Sequence, residues 1–186
     1  MRLRLTAPAQ GAPGEAAAAF QAGLDRLFRE RFPALYRYLH RLSGDRALAE
    51  DIAQEAFIRL FDRAEMPDEP VAWLITVATN LLRDDRRKTG RRLRLMERAG
   101  TDVGGNATAI DPASEVVQAE RRQQVRAALD TLALRDREVL LLRHSGFSYR
   151  EIGAALGMPE VSVGTTLSRA GAAFRRSYEE LHGEPD

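Results

Sequence analysis

The sequence predicts an all-α protein of two small helical domains joined by a flexible linker, the second domain being a helix-turn-helix. Three observations lead there. Apolar residues recur at intervals of three and four, as in Leu48, Ile52, Ala56 and Leu60, in Leu74, Val77, Ala78 and Leu81, and in Val125, Ala128, Leu129 and Leu132; that spacing lines one face of a helix. Alternating Val-, Ile- and Thr-rich runs between hairpin turns are missing, so a sheet has no material. The eight prolines, at 8, 13, 33, 67, 70, 112, 159 and 185, leave long windows free of a residue that breaks helix interiors but is harmless in a first turn.

Composition narrows the function. Of 186 residues, 44% are hydrophobic and 30% charged, enough for one mid-sized core or two small ones. Basic and acidic residues number 28 and 27, a formal net charge of +1, so any electrostatic argument has to be made segment by segment. No window approaches the roughly eighteen uninterrupted apolar residues of a membrane span. Pro8, Gly11, Pro13 and Gly14 break the run after Arg2 and Arg4, so no signal peptide is read and a cytoplasmic protein without membrane insertion is expected. Without Cys, and with His40, His144 and His182 far apart, thiolate and paired-histidine metal sites are excluded, and neither metal nor cofactor is expected. No nucleophile, base and phosphate loop combine into a catalytic constellation, so no enzyme is expected.

Residues 1–23 are rich in Ala, Pro, Gly and Gln with little to bury beyond Phe20, and read as a disordered N-terminal extension. Residues 24–98 form the first domain. Its segment from Asp45 to Glu69 holds three positive and eight negative residues, a net of −5, and its segment from Arg83 to Arg98 holds eight positive and three negative, a net of +5. On the acidic helix, Asp51, Gln54, Glu55 and Ile58 fall at i, i+3, i+4 and i+7 and make one polar stripe with an apolar end, while Ile52, Ala56 and Leu60 point elsewhere. Surface carboxylates are usually mere solvation, yet an exposed Ile among them fits a protein contact with an apolar centre and a charged rim. The basic helix is either a solvated face or a nucleic-acid surface. Favouring the second, its charges cluster at the carboxyl end, downstream of Trp73, a ring that can stack, and Asn80, an amide that can pair with a base edge. A lone Trp is nevertheless more often a core residue.

Residues 99–112 contain Gly100, Gly104, Gly105, Asn106 and Asp111-Pro112 and read as a flexible linker. In the second domain, 113–182, the run GFSYREIGAALGMPEVSVGTTLSRA begins at Gly146. Ser148 with Glu151 three residues on is a capping box that starts a short helix burying Ile152 and Leu156. Gly157 permits a left-handed turn, and Pro159 suits the start of the next helix. Val163, Leu167, Ala170 and Phe174 then fix the buried face of that helix, leaving Ser162, Thr165, Ser168 and Arg169 outward. Such a pair is either an ordinary αα-hairpin or a DNA-reading helix-turn-helix whose second helix offers hydroxyl and guanidinium groups to base edges.

Together the two blocks resemble bacterial sigma factors of the extracytoplasmic-function group. AEDIAQEAFIRLF, Ala49 to Phe61, is similar to the family's polymerase-clamp-binding helix, with Asp51, Gln54 and Glu55 in its Asp-x-x-Gln-Glu pattern. AWLITVATNLLRDDRR resembles the helix that opens and reads the minus-ten element, and REVLLLRHSGFSYREIGAALGMPEVSVGTTLSRA the helix-turn-helix that reads the minus-thirty-five element. Thr79 stands where the family often has Arg, and Gly164, Thr166 and Gly171 stand where basic residues are common.

The resemblance implies an alternative sigma factor that joins core RNA polymerase at its β′ clamp helices and β flap, directs it to specific promoter DNA and nucleates melting. An anti-sigma factor is implied as regulator. Asp51, Gln54, Glu55 and Ile58 are the implied polymerase contacts. Trp73, Asn80, Arg83, Asp84, Arg86, Arg87, Lys88 and Arg91 are the implied minus-ten set, and Ser162, Thr165, Ser168, Arg169 and Arg175 the minus-thirty-five set. Promoter elements roughly 16 or 17 base pairs apart are separated by about 55 Å, and a tether of 14 residues, at most about 48 Å long, bridges them once the domain radii are added. The competing readings are a helix-turn-helix regulator that binds operators without polymerase and a helical adaptor that binds only protein.

Overall fold

The computed structural model describes the backbone of residues 13–99 and 114–183, and side chains within 14–89 and 120–183. Seven helices make up the described residues, and no strand is found among them: α1 Pro13–Ser43, α2 Arg46–Arg63, α3 Pro70–Ala99, α4 Ser114–Asp130, α5 Leu134–Ser145, α6 Tyr149–Leu156 and α7 Glu160–His182.

Helices α1, α2 and α3 share one core. On α1 the buried positions Leu35, Tyr38, Leu39 and Leu42 form a seam that meets Ile52, Ala56, Phe57 and Leu60 of α2 and Leu74, Ile75, Ala78 and Leu82 of α3. Ala49, Ala53 and Ala56 are each fully buried, and such small residues let α1 and α2 approach closely. Leu60, also fully buried, has the environment in which truncation to Ala costs about 2–5 kcal/mol. The start of α2 is set by Asp45, whose carboxylate accepts from Leu48 N at 3.0 Å, satisfying a donor that the helix cannot use itself. Its end is set by Ala64 at φ +57°, a left-handed residue that costs about 1–2 kcal/mol without being glycine.

Two sequence expectations are corrected in α1. The extension expected to be disordered through residue 23 is helical from Pro13: its alanines are strong helix formers, and Phe20 is half-buried. Residues 1–12 lie outside the described residues. Pro33, read as a break, stands inside α1, where the buried seam from Ala34 to Leu42 compensates the lost backbone hydrogen bond. The linker expected at 99–112 lies outside the described residues, apart from Ala99 at the end of α3.

Helices α4–α7 form the second group around Ala128, Val139, Leu142, Phe147, Ile152, Val163 and Ala170. The capping box at α6 is complete: Ser148 Oγ accepts from Glu151 N at 3.3 Å and the Glu151 carboxylate accepts from Ser148 N at 2.8 Å. Gly157 ends α6 at φ +61°. Gly153 is required as well, because a Cβ there would lie 2.8 Å from Met158 O. The turn between α6 and α7 is therefore closed by backbone lying against backbone. Thr131 and Ser177 join hydroxyls at 2.7 Å, and Tyr178 OH donates to Gln124 at 3.2 Å, tying α4 to α7.

The two groups pack on one another, α5 against α1 and α6 against α3, so that Val139, Leu142, Phe147, Ile152 and Val163 join the same buried cluster as α1 and α3. Arg37 Nη2 donates to Ser145 O at 3.0 Å and Arg41 Nη1 to Ser145 Oγ at 3.1 Å.

Candidate functional site

The stripe on α2 faces solvent as its spacing requires. Asp51, Gln54 and Ile58 are exposed and Glu55 is half-exposed, its carboxylate holding Arg59 Nε at 2.8 Å one turn on. Ile58 is 52% exposed, Phe61 on the next turn is also 52% exposed, and Phe28 of α1 is 42% exposed. With Leu24, Asp25, Gln54 and Phe57 these residues line a shallow groove of about 350 Å³ between α1 and α2. Its floor is aromatic: Phe28 meets Phe57 edge-on at 5.0 Å and Phe32 at 4.7 Å between ring centroids. An apolar centre rimmed by carboxylates and an amide is the anatomy of a protein-docking surface. Sequence reasoning missed Phe61, which continuing the stripe by one helical step from Ile58 finds, and Phe28, which only the packing of α1 on α2 brings there.

The minus-ten set divides in two. Asn80, Asp84, Arg87 and Lys88 are exposed along one face of α3, with Arg87 and Asp84 3.6 Å apart. Trp73 is half-buried and packs against the core rather than standing free. Arg83 and Arg86 are engaged within the chain. Arg83 Nη2 binds the Glu138 carboxylate of α5 at 2.5 Å, and Arg86 Nη2 donates to Leu42 O at the end of α1, where helix carbonyls lack partners of their own. Burial first, then Arg137 and Arg126, lowers the pKa of Arg86. The side chain of Arg91 lies outside the described residues. Thr79 is buried against α1, with its hydroxyl 3.2 Å from Tyr38 OH.

At the corner between α1 and α2, His40 stacks on Tyr36 at 5.8 Å. Burial, then the charges of Arg46, Arg126 and Arg41, push its pKa below the ordinary 6.5.

On α7, Thr165, Ser168, Arg169 and Arg175 are exposed. Arg169 reaches back to Asp136 at 2.9 Å. Ser162 is half-buried, and its carbonyl accepts from Thr166 Oγ1 at 2.9 Å. A Cβ at Gly164 would lie 3.5 Å from the Tyr149 ring, in ordinary contact. The sequence reading passed over Val161, 88% exposed at the start of α7, an apolar group where a major-groove helix meets base edges. Nothing in the spacing marks it.

Two family models match these two groups of helices: sigma-70 region 2 over residues 27–92 and sigma-70 region 4 over residues 122–173. Among curated relatives, the extracytoplasmic-function RNA polymerase sigma factor SigL of Mycobacterium tuberculosis is 36% identical over 171 residues, covering 89% of this chain and 94% of the relative. The chain belongs to the extracytoplasmic-function sigma-factor family. SigE of Mycolicibacterium smegmatis, another such factor, is 39% identical over 165 residues; the match covers 85% of this chain but only 62% of the longer relative. A solved structure of the sigma factor RpoE of Bartonella quintana, in complex with the anti-sigma factor NepR, aligns with a TM-score of 0.58 at 26% identity, covering 84% of this chain and 97% of that one. In this sigma-factor chain, regions 2 and 4 are in direct contact through α1–α5 and α3–α6. Among the described residues no helix is long and apolar enough to cross a membrane.

Proposed function

We propose that this sigma factor joins core RNA polymerase, brings it to a subset of promoters and nucleates strand separation at the minus-ten element. The observation that supports this best is that one compact unit displays an acidic stripe with an apolar centre on α2 and a basic, amide-bearing face on α3. The first serves as the polymerase dock: Asp51, Gln54, Glu55 and Ile58 against the β′ clamp helices, with Phe28 and Phe61 widening the apolar centre. The second, Asn80, Asp84, Arg87 and Lys88 joined by Trp73, Arg83, Arg86 and Arg91, meets the minus-ten strands. Ser162, Thr165, Ser168, Arg169 and Arg175 read the minus-thirty-five element while the second domain touches the β flap. Residues 24–98 and 113–182 delimit the two domains, and 99–112 tether them.

The reading involves no covalent step, cofactor or metal, and places the protein in the cytoplasm. Unstacking duplex DNA costs about 1.4 kcal/mol per step, and a captured, stacked base returns about 1–3 kcal/mol. One or two captured bases therefore do not open a bubble of several steps. Polymerase supplies the remainder through its own channel, and this chain selects where opening starts. By likeness to the RpoE complex, an anti-sigma factor holds the chain in reserve.

The test adds purified protein to core polymerase with promoter fragments drawn from upstream of its own gene and asks for promoter-dependent initiation. Initiation is expected only with all three components. An operator-binding regulator binds the fragment without initiating, and a protein adaptor does neither.

A further inference from the structure

The corner where α1 ends and α2 begins carries a concentration of positive charge that the docking stripe on α2 does not use. Arg41 of α1, Arg46 of α2 and Arg126 of α4 all act on His40 there, and Arg126 also acts on Arg86 of α3. Arg126 reaches across to lie where a side chain at residue 44 would stand, a place that Gly44 leaves open. None of these four guanidinium groups meets a carboxylate. Arg41 donates to Ser145 Oγ at 3.1 Å and Arg86 to Leu42 O, while Arg46 and Arg126 have no ion-pair partner among the described residues. The neighbouring carboxylates are already committed: Asp45 caps α2 through Leu48 N at 3.0 Å, and Asp130 pairs with Arg137. Arg137, whose charge also acts on Arg86, keeps its Nε buried without a partner. Helix ends do not balance the excess. The end of α1 attracts cations and the start of α2 repels them by about the same half-charge, and the two ends are three residues apart.

We propose that this corner is a binding site for an oligophosphate, either inorganic or carried by a nucleoside, held by Arg41, Arg46 and Arg126. Like charges gathered in one place repel one another, and a multiply charged anion removes that repulsion. A guanidinium offers two parallel N–H donors that match phosphate oxygens. Guanidinium groups arriving from separate helices address the several oxygens of a diphosphate, where a single carboxylate answers one of them. Duplex DNA fits less well, because it spreads its phosphates along a line and these arginines converge on one corner. Tyr36, stacked on His40 at 5.8 Å between ring centroids, borders the site and offers a face to a nucleobase.

Titration calorimetry on the full chain at fixed ionic strength tests this, with inorganic pyrophosphate as probe and orthophosphate for comparison. Pyrophosphate is expected to bind about tenfold more tightly, the effect of one additional charged hydrogen bond. Arg46→Gln and Arg126→Gln are each expected to weaken pyrophosphate binding about tenfold. Arg63→Gln, which removes the same charge at the far end of α2 about 25 Å away, is expected to leave it unchanged. Arg46 is exposed, so Arg46→Gln keeps the test decisive should Arg126→Gln fail to fold. Proton NMR gives a second reading: pyrophosphate should raise the titration midpoint of the His40 imidazole, because it offsets Arg46, Arg126 and Arg41, which lower it against the opposing Asp45. His40→Gln identifies the resonance. ADP tighter than pyrophosphate upholds the site and assigns the Tyr36–His40 stack to a base; equal binding upholds it for the diphosphate alone. Equal affinity for orthophosphate and pyrophosphate, unchanged binding in the arginine variants, or an unmoved His40 midpoint overturns the proposal. A deoxyoligonucleotide that moves His40 at lower concentration than pyrophosphate gives the corner to DNA and overturns it too. None of these readings needs polymerase or a promoter, so they stand apart from the sigma-factor reading.

Discussion

The hydroxyls of Tyr38 on α1 and Thr79 on α3 meet at 3.2 Å in the closed interior, with Tyr38 fully buried and Thr79 6% exposed. Burial holds the Tyr38 phenol far above its ordinary pKa, so it stays neutral. Tyr38→Phe leaves the buried Thr79 hydroxyl without this partner and is expected to cost about 1–2 kcal/mol. Adding Thr79→Val removes the orphaned group, so the double variant should lose less than the two single losses combined. Urea denaturation of the four proteins measures this. Thr79→Arg has no room beside Tyr38 and should destabilise the domain.

Charge reversal at Asp51, or Ile58→Ala, is expected to weaken assembly with core polymerase by about tenfold, roughly 1.4 kcal/mol, and leave the thermal transition unchanged because both side chains are exposed. Phe61→Ala should act the same way if the groove is a single surface. Competition against a labelled sigma factor for core enzyme gives the ranking. Unaltered competition by all three variants would move the dock elsewhere.

Replacing Gly153 with Ala puts a methyl group 2.8 Å from Met158 O, a backbone atom that moves only with the turn. Overpacking of this kind costs about 1–3 kcal/mol. The expected result is a lowered unfolding midpoint together with loss of promoter discrimination, whereas exposed Ala154 one residue on should accept Ser with no change.

Burial and three arginines depress the pKa of His40 in the folded chain, so the unfolded chain binds a proton more readily. Stability from keeping this imidazole neutral is complete above the unfolded value of about 6.5 and is lost as pH falls through it toward the folded value. His40→Gln should flatten that part of the stability–pH curve. A curve with the same slope in both proteins would show that His40 does not govern it.

Along α3, Arg87→Ala or Lys88→Ala should weaken single-strand binding uniformly across sequences and reduce the salt-dependence slope by about one per contact. On α7, Thr165→Ala or Arg169→Ala should instead shift promoter preference, by about 1–3 kcal/mol if the side chain reads a base. Run-off transcription on a panel of minus-thirty-five variants separates the two classes.

Much of this was legible in the sequence because helical spacing is a local property. The Asp51–Ile58 stripe, the Ser148–Glu151 box and the Gly157 turn each lie within a dozen residues, and each reads the same in the chain and in the fold. What escaped depended on distant partners. Phe28 joins the groove only through packing of α1 on α2, and Glu138 looks like an ordinary surface acid until α5 sets it against Arg83, 55 residues away. Gly153 resembles any helical glycine until the following turn doubles back over it. The start of α1 was misjudged because a low-hydrophobicity, alanine-rich segment scores as disorder by composition yet propagates helix once the buried seam downstream has nucleated it.

The fully buried alanines at 49, 53 and 56 separate two kinds of mutational freedom on a single helix. Any larger residue at those positions pries apart its neighbours, so the inner side admits little substitution. The outer side, with Glu50, Asp51, Gln54 and Ile58 exposed, can be resculpted one residue at a time. Such a scaffold lets the exposed side be altered without ever having to refold the part behind it.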